Sequence, residues 1–195
     1  KLSIPILIGK EEKIKEQIKK IGYNENFDIE IINSKNVTKR EKYVQYVFKK
    51  LQREQGMLER DCDRLVRNER VVWASCMVAC GDADAMVTGN TRRYSSSLEK
   101  IVKVVDPRPG QIMFGLNLIV NRGKTIFVCD TSVIEYPDAN QLADMAISAA
   151  RVVRLFGFDP KVAFLSHSTF GQPVTDRTKR ISDAVKILKT KKVDF

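Results

Sequence analysis

Apolar residues along this chain recur with two periods, and the switches between them mark out its elements. Residues 4–9 (Ile4-Pro5-Ile6-Leu7-Ile8-Gly9) are a short apolar run closed by glycine, which predicts a buried strand. Residues 10–21 carry Ile14, Ile18 and Ile21 at helical spacing among charges, and Gly22 stops them; residues 27–32 then alternate as a strand. This order predicts a βαβ unit. Over residues 39–55 the positions Tyr43, Val47 and Leu51, beside Val44 and Phe48, make one helical face that ends at Gly56. Residues 69–80 are apolar on nearly all sides, so the helix predicted there belongs inside a domain.

Residues 84–88 read as a short central strand, and 89–97 as a polar loop before a helix running to about residue 105. Beyond Asp106-Pro107-Arg108-Pro109-Gly110 the pattern predicts two apolar strands, 112–120 and 125–129, joined by a turn at Asn121-Arg122-Gly123. Residues 138–156 form a strong helix, with Asp138 as N-cap, Leu142, Met145, Ala146, Ala149, Val152, Val153 and Phe156 in period, and Gly157 at the end. Its alanines allow close packing. Residues 161–165 predict a buried strand and 176–189 a last amphipathic helix with Ile181, Val185 and Leu188 inside. The class is α/β with a mostly parallel sheet, in two subdomains, 1–105 and 106–195, divided at the proline pair.

The net charge of +10 is spread along the chain with acids throughout, so it can attract anionic ligands but specifies no nucleic-acid site. No segment reaches the roughly 18 apolar residues of a membrane span, and the first 22 residues are not a signal peptide; a cytoplasmic chain is expected. The four cysteines, Cys62, Cys76, Cys80 and Cys129, are too scattered for a disulfide framework. Cys76 and Cys80 share a helix face, but with His167 as the single histidine no metal site is expected. The sequon at Asn36-Val37-Thr38 has no meaning without a secretory route. A chain that opens without Met inside an apolar segment is expected to be part of a longer one.

Ligands of an open α/β sheet sit at the carboxyl ends of its strands, which singles out three segments. Residues 89–97 offer Asn90, Arg92, Arg93 and Ser95 at a helix start, either a phosphate-binding loop or a solvated one. Asp130-Thr131-Ser132 either orients a ligand or caps a turn. Ser166-His167-Ser168-Thr169-Phe170-Gly171 has the composition of an anion cradle at a strand-to-helix transition, through Ser166, Ser168, Thr169 and Gly171. Neighbouring Ser and His on a strand end point apart, so a hydrolytic triad is not expected. No glycine-rich dinucleotide or nucleoside-triphosphate signature is present.

Pro5-Ile6-Leu7-Ile8-Gly9, the segment Gly81-Asp82-Ala83-Asp84-Ala85-Met86-Val87-Thr88-Gly89, Asp130-Thr131, and the run from Pro160 to Gly171 together resemble the phosphate acetyltransferase/butyryltransferase family. Arg92-Arg93-Tyr94, Asp106-Pro107-Arg108-Pro109-Gly110 and the Ser-His-Ser-x-Phe-Gly form are most similar to the C-terminal phosphotransacetylase-like domain of the large bacterial NADP-dependent malic enzymes. The resemblance implies a three-layer α/β/α fold of the isocitrate/isopropylmalate dehydrogenase-like phosphotransacetylase type, truncated here. It also implies a cleft for acetyl-CoA and phosphate, and a homo-oligomer formed through the second subdomain.

The same resemblance implies arginines where Gln52 and Glu99 stand, and a later segment with a Ser-Arg pair and a catalytic aspartate beyond Phe195. No catalytic residue is therefore expected within this chain, and no cofactor bound by it. NADP and a divalent metal are expected in another domain of the parent. The leading expectation is a regulatory and oligomerising module that binds acetyl-CoA as effector, in a parent that oxidatively decarboxylates malate to pyruvate. The rival is a true phosphate acetyltransferase, with acetyl-CoA and phosphate as substrates; a nucleic-acid binder would rest on charge alone.

Overall fold

The computed structural model describes residues 3–22, 29–34, 37–169 and 172–195. The chain divides into two compact units, Lys1–Asp106 and Pro107–Phe195, each with its own core. In the first, β1 (Ile6–Ile8) and β2 (Glu30–Ile32) pair in parallel, with Ile6 opposite Glu30 and Ile8 opposite Ile32. Helix α1 (Glu11–Lys20) makes the crossover, so the predicted βαβ unit is present; of the strand predicted over 27–32, residues 27 and 28 lie outside the described residues and Ile29 precedes β2. No residue of α1 is fully buried, and its exposed face carries Glu11–Lys15 and Glu16–Lys20 pairs one turn apart at 2.7 Å.

Helix α2 (Val37–Gln55) lays Tyr43, Val44, Val47 and Leu51 onto the core, the face its period predicts, and Gly56 ends it at φ +62°. The predicted helix at 69–80 is α4 (Arg70–Ala79), with Val71, Val72, Trp73, Ser75, Cys76 and Met77 buried. Before it stands a helix that the period does not predict, α3 (Glu59–Asn68), where Cys62, Leu65 and Val66 give too short an apolar run among charges. Glu69 breaks the two apart in extended conformation at φ −109° and ψ 101°. Trp73 meets the Tyr43 ring edge-on with centroids 4.9 Å apart, an arrangement worth about 1 kcal/mol beyond the area it buries. After α5 (Tyr94–Val102), Lys50 of α2 caps the carbonyl of Val102 at 3.1 Å and pairs with Asp106 at 2.6 Å.

In the second unit β3 (Asn117–Asn121) and β4 (Lys124–Val128) form an antiparallel hairpin. Its two-residue turn, Arg122 at φ +48° and Gly123 at φ +77°, has both residues left-handed, the conformation that matches strand twist in tight hairpins. Helix α6 (Ala139–Leu155) starts with a capping box in which Asp138 and Gln141 bond each other's backbone N–H, as the sequence predicts for Asp138. It packs on α7 (Asp176–Thr190) through Ala143, Ala146 and Leu188.

Three predicted strand segments are different. Where the pattern predicts one mostly parallel sheet, the described residues hold two separate two-stranded sheets, one parallel and one antiparallel. Residues 84–88 and 161–165 belong to no strand, and both are largely exposed, with Val87 fully so and Leu165 85% exposed. An apolar run becomes a strand only when another backbone completes its ladder. The first hairpin strand begins at residue 117 and not at 112, because the Gly115 N–H is taken by the Asp130 carboxylate at 2.9 Å. No helix among the described residues is long and apolar enough to cross a membrane.

Candidate functional site

The predicted site residues fall into two groups. In the first unit the chain leaves α4 at Gly81 (φ +75°), where the N–H groups of Asp82 and Ala83 both bond the Met77 carbonyl. Asp82 then accepts from the Tyr43 hydroxyl at 2.8 Å and from Lys42 Nζ at 3.0 Å. The Tyr43 bond, with the Lys42 bond and charge, holds the Asp82 carboxyl below its ordinary range. Burial, with the Asp82 charge, pushes the Tyr43 hydroxyl up, so the tyrosine stays a proton donor.

From this anchor the chain runs exposed to Asn90, which sits left-handed at φ +60°, a conformation asparagine tolerates. Arg92 follows with its Nη1 3.3 Å from Glu69 Oε2, and Arg93 is the N-cap residue of α5. Arg93 has no ion-pair partner among the described residues. Ser95 is exposed in the first turn of α5, whose leading backbone N–H groups are free for an anion, and Ser97 turns into the core. Asn90, Arg92, Arg93 and Ser95 therefore form an exposed rim at a helix start, an arrangement open to a phosphate-binding loop and to a solvated one alike. Sequence reasoning missed Glu69 and Lys100, which tie this rim down, with Lys100 Nζ 2.7 Å from the same Glu69 oxygen. Their separation along the chain leaves no local signal.

In the second unit Asp130 caps a turn. Its Oδ1 accepts from the N–H groups of Gly115, Ser132 and Val133, and its Oδ2 from Ile134 at 2.6 Å. Burial alone would push its pKa up, but the backbone bonds outweigh it and hold the carboxyl below the usual range. Gly115 fits only without a side chain, since a Cβ there would stand 2.9 Å from Asp130 Oδ1 and 3.1 Å from Thr131 Oγ1. Both Asp130 oxygens are thus engaged by backbone N–H groups, three from its own loop and one from Gly115.

Ser166 and Ser168 lie 3.0 Å apart, hydroxyl to hydroxyl, and Ser166 also accepts from the Ser168 N–H. With Phe164, Leu165 and the α7 residues Thr178, Ile181 and Ser182 they line an open cleft of about 410 Å³. Thr169 exchanges backbone bonds with Gln172, and Gly171 lies outside the described residues. The Thr178 hydroxyl is spent on the α7 cap, so the free hydroxyl that α7 brings to the cleft is Ser182. Among the described residues no cation lines this cleft. A dianion is therefore better matched by the arginine rim, and the hydroxyl cleft by uncharged, hydrogen-bonding groups. His167 is exposed and Ser166 bonds another serine, which gives no nucleophile–base pair.

The sequence pattern of the family described as phosphate acetyl/butaryl transferase matches residues 1–195. The chain belongs to this family. It is 40% identical over 195 residues to the NADP-dependent malic enzyme of Rhizobium meliloti (strain 1021), covering all of this chain and 26% of that protein. Against the phosphate acetyltransferase of Helicobacter pylori (strain J99 / ATCC 700824) the identity is 28% over 185 residues, 94% of this chain and 35% of the relative. The chain thus spans about a quarter to a third of these relatives. A phosphotransacetylase from Streptococcus pyogenes superposes with a TM-score of 0.83 at 24% identity, covering 98% of this chain and 58% of that one. The EutD phosphotransacetylase from Staphylococcus aureus gives 0.74 at 25%, covering 96% and 56%. The fold is the α/β fold of phosphotransacetylases.

Proposed function

We propose that these residues form the phosphotransacetylase-like portion of an NADP-dependent malic enzyme, where they bind acetyl-CoA as an allosteric effector and join copies of the polypeptide in the cytoplasm. The observation that carries the reading is the graded identity: 40% along the whole chain with a malic enzyme against 28% with a phosphate acetyltransferase. The electrostatics of α5 support it. At Glu99, where likeness to the transacetylases implies a cation, an exposed carboxylate pairs with Lys103 at 2.9 Å, and such a charge repels phosphate. Arg92, Arg93, Asn90 and Ser95 remain to receive the phosphates of a nucleotide. Regulation of this kind requires acetyl-CoA to favour one state of the whole enzyme over another, at the cost of malate decarboxylation elsewhere in the polypeptide.

The second reading, a phosphate acetyltransferase that moves an acetyl group between CoA sulfur and phosphate oxygen, draws on the family and on its acetyltransferase members. One experiment separates the two. Acetyl-CoA is titrated by calorimetry into the full-length protein carrying this sequence, and acetyl phosphate formation and malate decarboxylation are assayed on the same sample. Saturable binding with inhibited decarboxylation and no acetyl phosphate is the expected result; turnover to acetyl phosphate assigns the acetyltransferase.

A further inference from the structure

One carboxylate ties the arginine rim of the first unit to the helices behind it. Glu69, in the break between α3 and α4, offers a single oxygen, Oε2, to both Lys100 Nζ at 2.7 Å and Arg92 Nη1 at 3.3 Å. The short bond belongs to the lysine and the long one to the arginine. The Arg92 side chain keeps 39% of its surface exposed against 21% for Lys100, so the arginine is the partner that reaches solvent. Leaving Glu69 costs Arg92 one long bond, while Lys100 keeps the carboxylate compensated.

We infer that Glu69 is a positioning residue that holds Arg92 in the place of a ligand phosphate, and that a phosphate-bearing ligand binds by drawing Arg92 off it. The inference rests on the reading that the rim at residues 89–97 receives acetyl-CoA or phosphate. A phosphate offers a guanidinium two parallel bonds, where Glu69 gives it one. Arg93, without an ion pair among the described residues, and the first turn of α5 stand beside it to complete the exchange. The Lys100 bond, against the opposing push of burial and with the Arg92 charge adding, keeps Glu69 ionised well below neutral pH, so its hold on Arg92 is in force under working conditions. Affinity at the rim is then a difference between two anions competing for one arginine.

The test titrates inorganic phosphate and acetyl-CoA separately into the full-length protein as wild type, Glu69→Gln, Arg92→Gln and the double variant, with the thermal midpoint of each. Glu69→Gln is expected to tighten phosphate binding about threefold to fivefold, the size of releasing a half-exposed ion pair, and to give no gain when Arg92 is already Gln. An equal gain in the Arg92→Gln background would mean a general charge effect and overturns the inference, as does an unchanged affinity in a folded Glu69→Gln protein. Lys100→Gln is the second route if that variant does not fold. It leaves Glu69 with Arg92 alone and must weaken phosphate binding more with Arg92 present than without it; equal weakening in both backgrounds refutes the exchange. If wild type ignores acetyl-CoA while the Arg92-dependent gain for phosphate holds, the proposed function falls and the inference stands. Acetyl-CoA binding with identical phosphate affinities in wild type and Glu69→Gln removes the inference alone.

Discussion

The two units are held together by different means. In the first, large side chains do the packing: Trp73, Tyr43 and Leu51 are fully buried and α2, α3 and α4 close around them. In the second, α6 meets α7 through Ala143 and Ala146, small residues that bring helix backbones close but remove little apolar area from water. Leu188 is the large side chain buried at that contact, with Ile147, Phe164, Ile187, Val193 and Phe195 only partly buried against it, while Leu155 is 82% and Leu165 85% exposed. Order there leans on polar devices instead: the capping boxes of Asp138 and Thr175, the four backbone bonds of Asp130, and the Lys191–Asp144 and Arg154–Asp194 pairs. The first unit is stabilised by area, and the second by hydrogen bonds at a few points.

The largest expected effect follows from the first half of that contrast. Leu51→Ala empties a fully buried site and is expected to cost about 3–4 kcal/mol, at the upper part of the range for leucine truncation. Leu188→Ala, at the edge of the alanine contact, is expected to cost about 2 kcal/mol, because neighbours can settle into the space. Trp73 is the single tryptophan of the 195 residues and lies in the first unit, so urea titration followed by its fluorescence distinguishes them. Leu51→Ala should lower that midpoint while Leu188→Ala shows chiefly in the far-ultraviolet circular dichroism. Equal shifts in the fluorescence midpoint would mean the units melt as one, and the contrast would not describe stability.

A smaller effect tests the polar half. Asp130→Asn puts an amide where two carboxylate oxygens accept four N–H groups, so one amide hydrogen set faces a backbone donor. A loss of about 2 kcal/mol is expected. Because the folded carboxyl lies below its unfolded value, its contribution is complete above about pH 4 and is lost as pH falls through the lower folded value. The acid limb of a stability–pH profile should flatten in Asp130→Asn. An unchanged limb would assign that limb to other carboxylates, such as Asp82 and Glu69, which are depressed in the same direction.

What was legible in the sequence follows the same division. Helices with a continuous face and explicit ends were readable: α6 lies between Asp138 and Gly157, and α4 is buried as its all-round apolarity requires. The exposed position of Asn90, Arg92, Arg93 and Ser95 at a helix start was readable too, because they are consecutive or nearly so. Strands at 84–88 and 161–165 were not, since strand formation depends on a distant partner backbone that apolar composition does not report. Asp130 could be read either as a ligand contact or as a cap; its bonds to residues 132–134 are the local capping the sequence suggests, while the bond from Gly115, 15 residues away, leaves no local signal. Glu69 and Lys100 gave no signal, being 31 residues apart, one in the break between α3 and α4 and the other within α5.

The smallest expected effect concerns the hairpin, where the second unit depends on backbone conformation alone. Gly123 holds φ +77° with nothing within 4 Å of a Cβ placed on it, so substitution there meets strain and no clash. Gly123→Ala should therefore cost about 1 kcal/mol, the penalty of a left-handed conformation for a residue with a side chain. Gly115→Ala is the opposite case in the same unit, since its Cβ would press on Asp130 Oδ1 at 2.9 Å and disturb the backbone bonds that carboxylate receives. Urea midpoints from circular dichroism should rank Gly115→Ala below Gly123→Ala. If the two are equal, the carboxylate loop yields at little cost, and the second unit is not held at the points where its hydrogen bonds converge.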